Sequence, residues 1–490
     1  MDSILSILQF IGVLLIVVLL FNFMIIVHEW GHFLAARWRG LHIEKFQIWF
    51  GKAIWKKTYN GVQYGLGCIP AGGFVALPQM APMEMIEGSG EDREKLPDIT
   101  PLDKIIVAFA GPLFSFLLAC FFAVIVWSVG TPVAGDRTTT IGYIARDMPA
   151  ANSDLKIGDK ILSIDGEKVS RWSGMVDSVT WSIIAAEGDT IDFEVERDGQ
   201  VLTVPVTAPR EKLHHDWDEQ SWFSKLFKRK PFRKVGIAAE TGDIIFDTFT
   251  EPSPATLAGL KKGDILRGVN GKPAQAIFEE IEYSEGKPIT LTIERDKQPM
   301  EIAVTPAVPS QPSAPEGEKT YYSIGLLSFE DPGHGKIELE HVPPLTQIQD
   351  SMRMMYNTIT KVFSPKSDIG AGHLSGPVGI IQTKFTLLLD YPEGWRMVLW
   401  FSVVLNVNLA IMNLLPFPVL DGGHITMALM EIVRRKPLNF RLLEMIQAGC
   451  VVLLFSFIIF VTLKDGGTLF KKSPEHVPEK FGDLPAKIAE

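Results

Sequence analysis

The chain has 490 residues, 47% of them hydrophobic and 21% charged, with a formal net charge of −10. The apolar surplus excludes intrinsic disorder for most of the chain, and the acidic balance argues against a nucleic-acid-binding protein. Cys68, Cys120 and Cys450 are too few and too scattered for a disulfide framework or a thiolate metal cage.

The apolar residues gather in four windows, 4–27, 105–127, 397–420 and 446–463, each reaching or approaching the roughly 20 residues that cross a hydrocarbon core. We read them as four membrane spans. The first lacks the basic start and small-residue cleavage site of a signal peptide. It leads into His28-Glu29-Trp30-Gly31-His32, an H-E-x-x-H motif on a predicted helix. Histidines at i and i+4 share one helical face, so both imidazoles can reach one zinc ion while the glutamate lies alongside as a base. With Arg37 at the membrane edge, His28 lies about 14 Å deep, where ionisable groups are costly and call for a functional reason. Zinc hydrolase sites use three protein ligands, so a third must come from another segment.

After the first span come Arg37, Arg39, Lys45, Lys52, Lys56 and Lys57, and the loop between spans three and four carries Arg434, Arg435, Lys436 and Arg441. The positive-inside rule puts both loops in the cytoplasm, and the N-terminus, residues 130–395 and the C-terminal tail on the other side. Between spans two and three the sequence repeats itself. Pro149-Ala150-Ala151, Leu155, Gly158-Asp159 and Ile164-Asp165-Gly166 recur as Pro254-Ala255-Thr256, Leu260, Gly263-Asp264 and Val269-Asn270-Gly271, at an offset of 105. Glu196-Arg197-Asp198 recurs as Glu294-Arg295-Asp296 at an offset of 98. Alternating apolar residues around Asp-Gly and Asn-Gly turns predict two small β-rich modules. The basic aromatic stretch 217–234 reads either as a membrane-surface contact or as a solvated loop, and the proline-rich stretch 306–315 as an extended spacer. Ile348, Met352, Met355, Ile359 and Val362 predict an amphipathic helix before span three.

Span three ends in Asn413-Leu414-Leu415-Pro416-Phe417-Pro418-Val419-Leu420-Asp421-Gly422-Gly423. The prolines break the helix, and unwound backbone at membrane depth survives only where it lines a cavity or is buried in protein. Asp421 is the expected third metal ligand, with His424 as its rival.

The pairing of H-E-x-G-H in span one with N-x-x-P-x-P-x-L-D-G in span three resembles the site-2 protease family, the zinc metalloproteases that cut substrates within the bilayer. Ile69-Pro70-Ala71-Gly72-Gly73-Phe74, Ala110-Gly111-Pro112 and Leu374-Ser375-Gly376-Pro377 agree with it, while Ser115 departs from the asparagine often found after Gly-Pro. The repeats, around Leu155-Lys156-Ile157-Gly158-Asp159 and Leu260-Lys261-Lys262-Gly263-Asp264, resemble PDZ domains of the bacterial protease type. The resemblance implies a polytopic α-helical membrane protein with four transmembrane helices and two PDZ domains inserted between the second and third. Its expected divisions are a first core part at 1–134, PDZ domains at 135–215 and 233–306, linkers at 216–232 and 307–344, a second core part at 345–465, and a tail at 466–490. It further implies Zn2+ on His28, His32 and Asp421 with Glu29 as base. A β-loop of Gly72, Gly73 and Phe74 would offer a strand edge, and Asn408, Asn413, Pro416 and Pro418 would bind extended substrate. The expected substrate is a single-pass transmembrane protein, anti-sigma-factor-like, trimmed beforehand by another protease. The expected location is a bacterial inner membrane, with the zinc near the cytoplasmic side and no nucleic-acid partner. The alternatives are a PDZ-containing membrane scaffold or chaperone with a non-catalytic metal site, and a metal-dependent transporter. An intact Glu29 counts against both, because a structural metal needs no base.

Overall fold

The computed structural model describes residues 2–80, 97, 99–133, 138–209, 232–240, 242–310, 321–330, 338–391, 393–435, 440–469 and 480–481. Most of the basic aromatic stretch, the proline-rich spacer beyond Ser310 and most of the tail lie outside the described residues. The chain divides into two compact units. One comprises Met1–Pro132, Leu339–Asn357 and Leu374–Gly467, the other Val133–Glu338, Thr358–His373 and Thr468–Glu490.

In the first unit, helix α1 (Asp2–Arg39) runs without interruption past the charge-free window, so the H-E-x-x-H motif lies inside a continuous helix. Arg37 and Arg39 in its last turn complement the negative end of the helix dipole. A four-stranded sheet follows, made of β1 (Lys45–Phe50), β2 (Trp55–Tyr59), β3 (Val62–Leu66) and β4 (Ile69–Ala76). Its order is β2-β3-β1-β4, which leaves β4 at an edge, with Ile48 opposite Gly73 and Gln47 opposite Phe74. Helix α2 (Pro101–Val129) starts at a capping box in which Thr100 and Asp103 satisfy each other's backbone N–H groups, with proline at the first helical position.

Helix α3 (Pro344–Phe363) is the predicted amphipathic element, but its buried face is Gln347, Ile348, Ser351, Met354 and Met355, and Met352 is exposed. The rotation has a polar cause, since Gln347 turns inward and donates to the Ala123 carbonyl at 3.1 Å. Helix α4 (Pro377–Asp390) corresponds to none of the four windows. Its wholly buried Lys384 donates to Ser402 Oγ at 3.3 Å. Helix α5 (Gly394–Asn413) stops seven residues short of the expected end at 420, because Pro416 and Pro418 cannot continue it. Helices α6 (Asp421–Arg434) and α7 (Phe440–Leu469) complete the unit. Leu8–Arg39, Pro101–Val129, Gly394–Asn413 and Met445–Asp465 are the four helical segments long and apolar enough to cross a membrane among the described residues. Met24, Leu118, Phe122, Val403 and Val407 pack α1, α2 and α5 together, and Phe33, Phe46, Val75 and Val107 seat the sheet on α1 and α2.

The second unit holds two β-rich modules. In the first, β5 (Ile141–Ile144), β6 (Lys160–Ile164), β7 (Thr190–Arg197) and β8 (Gln200–Thr207) are joined by β9 (Ile237–Ala239), which pairs with β5, and Val235 enters the same core. The second has β10 (Ile244–Phe249), β11 (Ile265–Val269), β12 (Ile289–Arg295), β13 (Gln298–Val304) and β14 (Leu326–Glu330), in the order β13-β12-β11-β10-β14. The repeated phrases have one physical meaning in both copies. Arg197 grips Asp159 with two hydrogen bonds of 2.6 Å, and Arg295 grips Asp264 likewise. The backbone N–H groups of Lys156 and Lys261 donate to the same carboxylates at 2.8 Å. Asp165-Gly166 and Asn270-Gly271 take positive φ at both positions, as two-residue hairpin turns require.

Candidate metal centre

One helical turn separates His28 from His32, and both are buried on the face of α1 that meets α2 and α6. Two glycines make the approach possible. A Cβ at Gly31 would lie 2.4 Å from the Ala110 carbonyl oxygen, and one at Gly111 would lie 2.1 Å from His32 Nε2. The Ala110-Gly111-Pro112 phrase is thus the groove that admits a histidine ring.

Asp421 arrives from the other side as the first residue of α6, at the positive end of that helix. The chain between α5 and α6 folds tightly enough that a Cβ at Gly422 would meet the Leu414 carbonyl at 2.2 Å, and one at Gly423 the Phe417 carbonyl at 2.1 Å. The paired glycines after Asp421 are therefore a close-packing requirement that sets its position.

The three side chains converge. His28 Nε2 lies 3.3 Å from Asp421 Oδ2, His32 Nε2 lies 3.4 Å from Asp421 Oδ1, and the two Nε2 atoms are 3.3 Å apart. A tetrahedral zinc with ligand bonds of about 2.0–2.1 Å has donor-to-donor edges of about 3.3–3.4 Å, which the two Nε2 atoms match, and the Asp421 carboxylate presents one oxygen to each imidazole, so the donor types suit that ion. The remaining imidazole nitrogens are tied down. His32 Nδ1 is 2.8 Å from the Val107 carbonyl, which can only accept, so Nδ1 carries the hydrogen and Nε2 turns its lone pair to the centre. His28 Nδ1 lies 2.9 Å from the buried Ser115 hydroxyl, which gives the departure at that position a role as its hydrogen-bond partner.

Glu29 lies beside the triad and under the edge strand. A Cβ at Gly73 would be 3.6 Å from Glu29 Cγ. A cavity of about 10 Å3, close to what one water needs, is lined by Glu29, His32, Asp421 and His424 with Val75, Leu77, Met80, Val107 and Ala108. His424 is buried at this cavity, but the convergent donor atoms are those of His28, His32 and Asp421.

The other expected site residues are less uniformly gathered. Asn413 Nδ2 lies 3.3 Å from His28 Nε2. The Pro418 carbonyl accepts from Gln447 Nε2 at 2.9 Å, and Pro416 is exposed in the turn that leads to Asp421. Gly72 takes φ +76, where a side chain would collide with the Phe50 ring, and Phe74 stacks on Phe50 with centroids 6.3 Å apart. Asn408 stands apart: its buried Oδ1 has no hydrogen-bond partner, and no bond joins it to the triad among the described residues. Sequence reasoning missed the roles of the Val107 carbonyl and the Ser115 hydroxyl as partners of the histidines, which no spacing in the chain announces.

Residues 15–457 match the family model described as Peptidase family M50. Among similar proteins, Protease RseP of Yersinia pestis is 28% identical over 457 residues, covering 89% of this chain and 95% of the relative. A putative zinc metalloprotease of Pasteurella multocida is 27% identical over 461 residues, covering 90% and 96%. Regulator of sigma-E protease RseP of Escherichia coli is 27% identical over 457 residues, covering 89% and 95%. With four membrane-length helices among the described residues and a cluster of His28, His32 and Asp421, the chain belongs to peptidase family M50, the site-2 protease family, and is a metalloprotease.

Proposed function

We propose that the chain is an intramembrane zinc endopeptidase in which His28, His32 and Asp421 hold the metal and Glu29 is the general base. The single observation that carries this reading is the convergence of His28, His32 and Asp421, with one ligand atom from each within 4.8 Å of the others and Glu29 lining the same cavity. Zinc, when bound, supplies the Lewis acidity that brings a water proton within reach of a carboxylate at neutral pH. Glu29 takes that proton as the water attacks a peptide carbonyl, then returns it to the leaving amine. The cavity walls of Val75, Val107, Ala108 and Leu77 limit the water that reaches Glu29.

A helical substrate shields its carbonyls in i to i+4 bonds, so it must be drawn out before cleavage. Edge strand β4, with Gly72, Gly73 and Phe74, offers the backbone ladder for an extended segment, and Gly73 lies over Glu29. Asn413 is 3.3 Å from His28 and so within reach of a substrate carbonyl there, with Pro416 and Pro418 in the turn that follows it and Asn408 earlier on the same helix. Relatives named as regulators of sigma E support a substrate in sigma-factor control, and the proposed one is a single-pass, anti-sigma-factor-like protein of a bacterial inner membrane, trimmed first by another protease. In this reading the two β-rich modules are PDZ domains on the extracytoplasmic side, the first completed by β9 and the second by β14. They hold back substrates with bulky external domains, while the zinc lies near the cytoplasmic face.

The test is cleavage of a labelled transmembrane peptide by the purified protein and its Glu29→Gln variant. The variant should keep its zinc and lose cleavage, since the amide cannot take a proton at neutral pH. Activity within tenfold of the parent would remove Glu29 from the mechanism. Deleting 135–306 should let the enzyme cut untrimmed substrate. A deletion variant that binds zinc, cuts trimmed substrate and still rejects the untrimmed form shows that the modules are not the filter.

A further inference from the structure

Two described residues of the tail, Lys480 and Phe481, belong to the same compact unit as the β-rich modules. Phe481 is only 8% exposed. It rests on Gly325, where a Cβ would lie 3.1 Å from Phe481 Cε2 and 2.4 Å from Ser253 Cβ. Gly325, at φ +78, immediately precedes β14, the end strand of the second module's sheet. No strand covers the outer edge of β14 in that sheet among the described residues. Lys480 is exposed and makes a β-bridge, and its carbonyl accepts from the Ser310 hydroxyl at 2.8 Å. An aromatic ring buried against the residue that opens an edge strand, with the carbonyl before it held by Ser310, sets the tail beside an edge of the kind at which folded modules take extended peptides.

We propose that the second module is a binding site for an extended peptide carrying an aromatic side chain, and that Lys480 and Phe481 of the chain's own tail are its built-in occupant. An external peptide must displace them. Connectivity permits this. The modules lie between the second and third membrane-length helices and the tail follows the fourth, so the two are on one side of the membrane in either orientation. The covalent tether between α7 and Lys480 holds the occupant at an effective concentration of order millimolar, so a modest intrinsic affinity suffices to keep the site filled. Only a tight or multivalent partner gains entry. This inference deepens the reading of the modules as the part that meets substrate before the metal centre does, and rests on it.

The test is fluorescence anisotropy with a labelled synthetic peptide of residues 474–487, titrated with the full-length protein and with its Phe481→Ala variant. The peptide should bind the variant at least about tenfold more tightly than the parent, the scale expected when one buried aromatic side chain is lost. The same peptide carrying alanine in place of its phenylalanine should not bind the variant. A chain ending at Leu469 should bind like Phe481→Ala, which guards against a local folding defect in the point variant. Equal binding to parent and variant, no binding to either variant, or binding independent of the aromatic ring overturns the proposal. Zinc content and cleavage of a short transmembrane peptide without an external domain should match the parent in both variants. A failure of the protease reading would appear there and not in the anisotropy.

Discussion

Gly111→Ala separates the geometry of the metal centre from the stability of the fold. A Cβ at position 111 would sit 2.1 Å from His32 Nε2, whereas an ordinary contact needs about 3.4 Å, so the ring must retreat by more than 1 Å. Ligand distances in metal sites tolerate only about 0.2 Å, so His32 cannot keep its place in a donor set whose edges are 3.3–3.4 Å. Losing a direct ligand must cost at least as much as losing one of its supporting contacts, which is typically 10–100-fold in affinity. We therefore expect zinc affinity to fall by about 100-fold or more. The helix itself gains from the change, since alanine is favoured over glycine in a helix interior by about 1 kcal/mol. The assay is zinc retention against a graded chelator, read alongside thermal unfolding in detergent. Gly12→Ala, where nothing lies within 4 Å of the added methyl, is the control and should behave as the parent. A Gly111→Ala protein that keeps the parent's zinc affinity would refute the placement of His32 in the centre.

Asp421→Ala should lose both bound zinc and cleavage, while His424→Ala should keep its zinc; the reverse in a metal-content measurement would exchange the two roles. Ser115→Ala removes the hydroxyl 2.9 Å from His28 Nδ1 and should weaken zinc binding by about 10–100-fold, with Ser115→Asn recovering most of it; an unchanged affinity would show that the contact does not orient the ring. In the first module, burial works to raise the Asp159 carboxyl, yet the Arg197 guanidinium and the Lys156 N–H hold it below the usual aspartate range. A depressed folded value means that the pair's stabilisation is complete above about pH 4, where the unfolded carboxyl is already ionised, and is lost as pH falls through the lower folded value. Arg197→Ala should destabilise the module at neutral pH and reduce that acid dependence. Limited proteolysis of the full-length protein between pH 7 and 3 measures it, and parallel pH profiles would count against the pair.

The amino-acid sequence by itself determined what local chemistry can determine. The membrane-length helices follow from charge-free apolar runs. The pairing of His28 with His32 follows from helical spacing, and the repeat follows from Gly-Asp, Asp-Gly and Glu-Arg-Asp phrases whose ion pairs recur in both modules. Tertiary structure decided everything that depends on which surfaces meet. Asp421 lies 389 residues beyond His32, and only the turn closed by Gly422 and Gly423 sets its carboxylate 3.4 Å away. The tautomer of His32 depends on a carbonyl of α2, the face of α3 on a carbonyl that Gln347 must satisfy, and the seat of Phe481 on a glycine more than 150 residues earlier. Periodicity and spacing report a segment's own preferences, whereas a buried polar group answers to whatever partner packing brings to it. The rotation of α3 and the hydrogen bonds that hold the two histidines were for that reason settled only by the assembled chain.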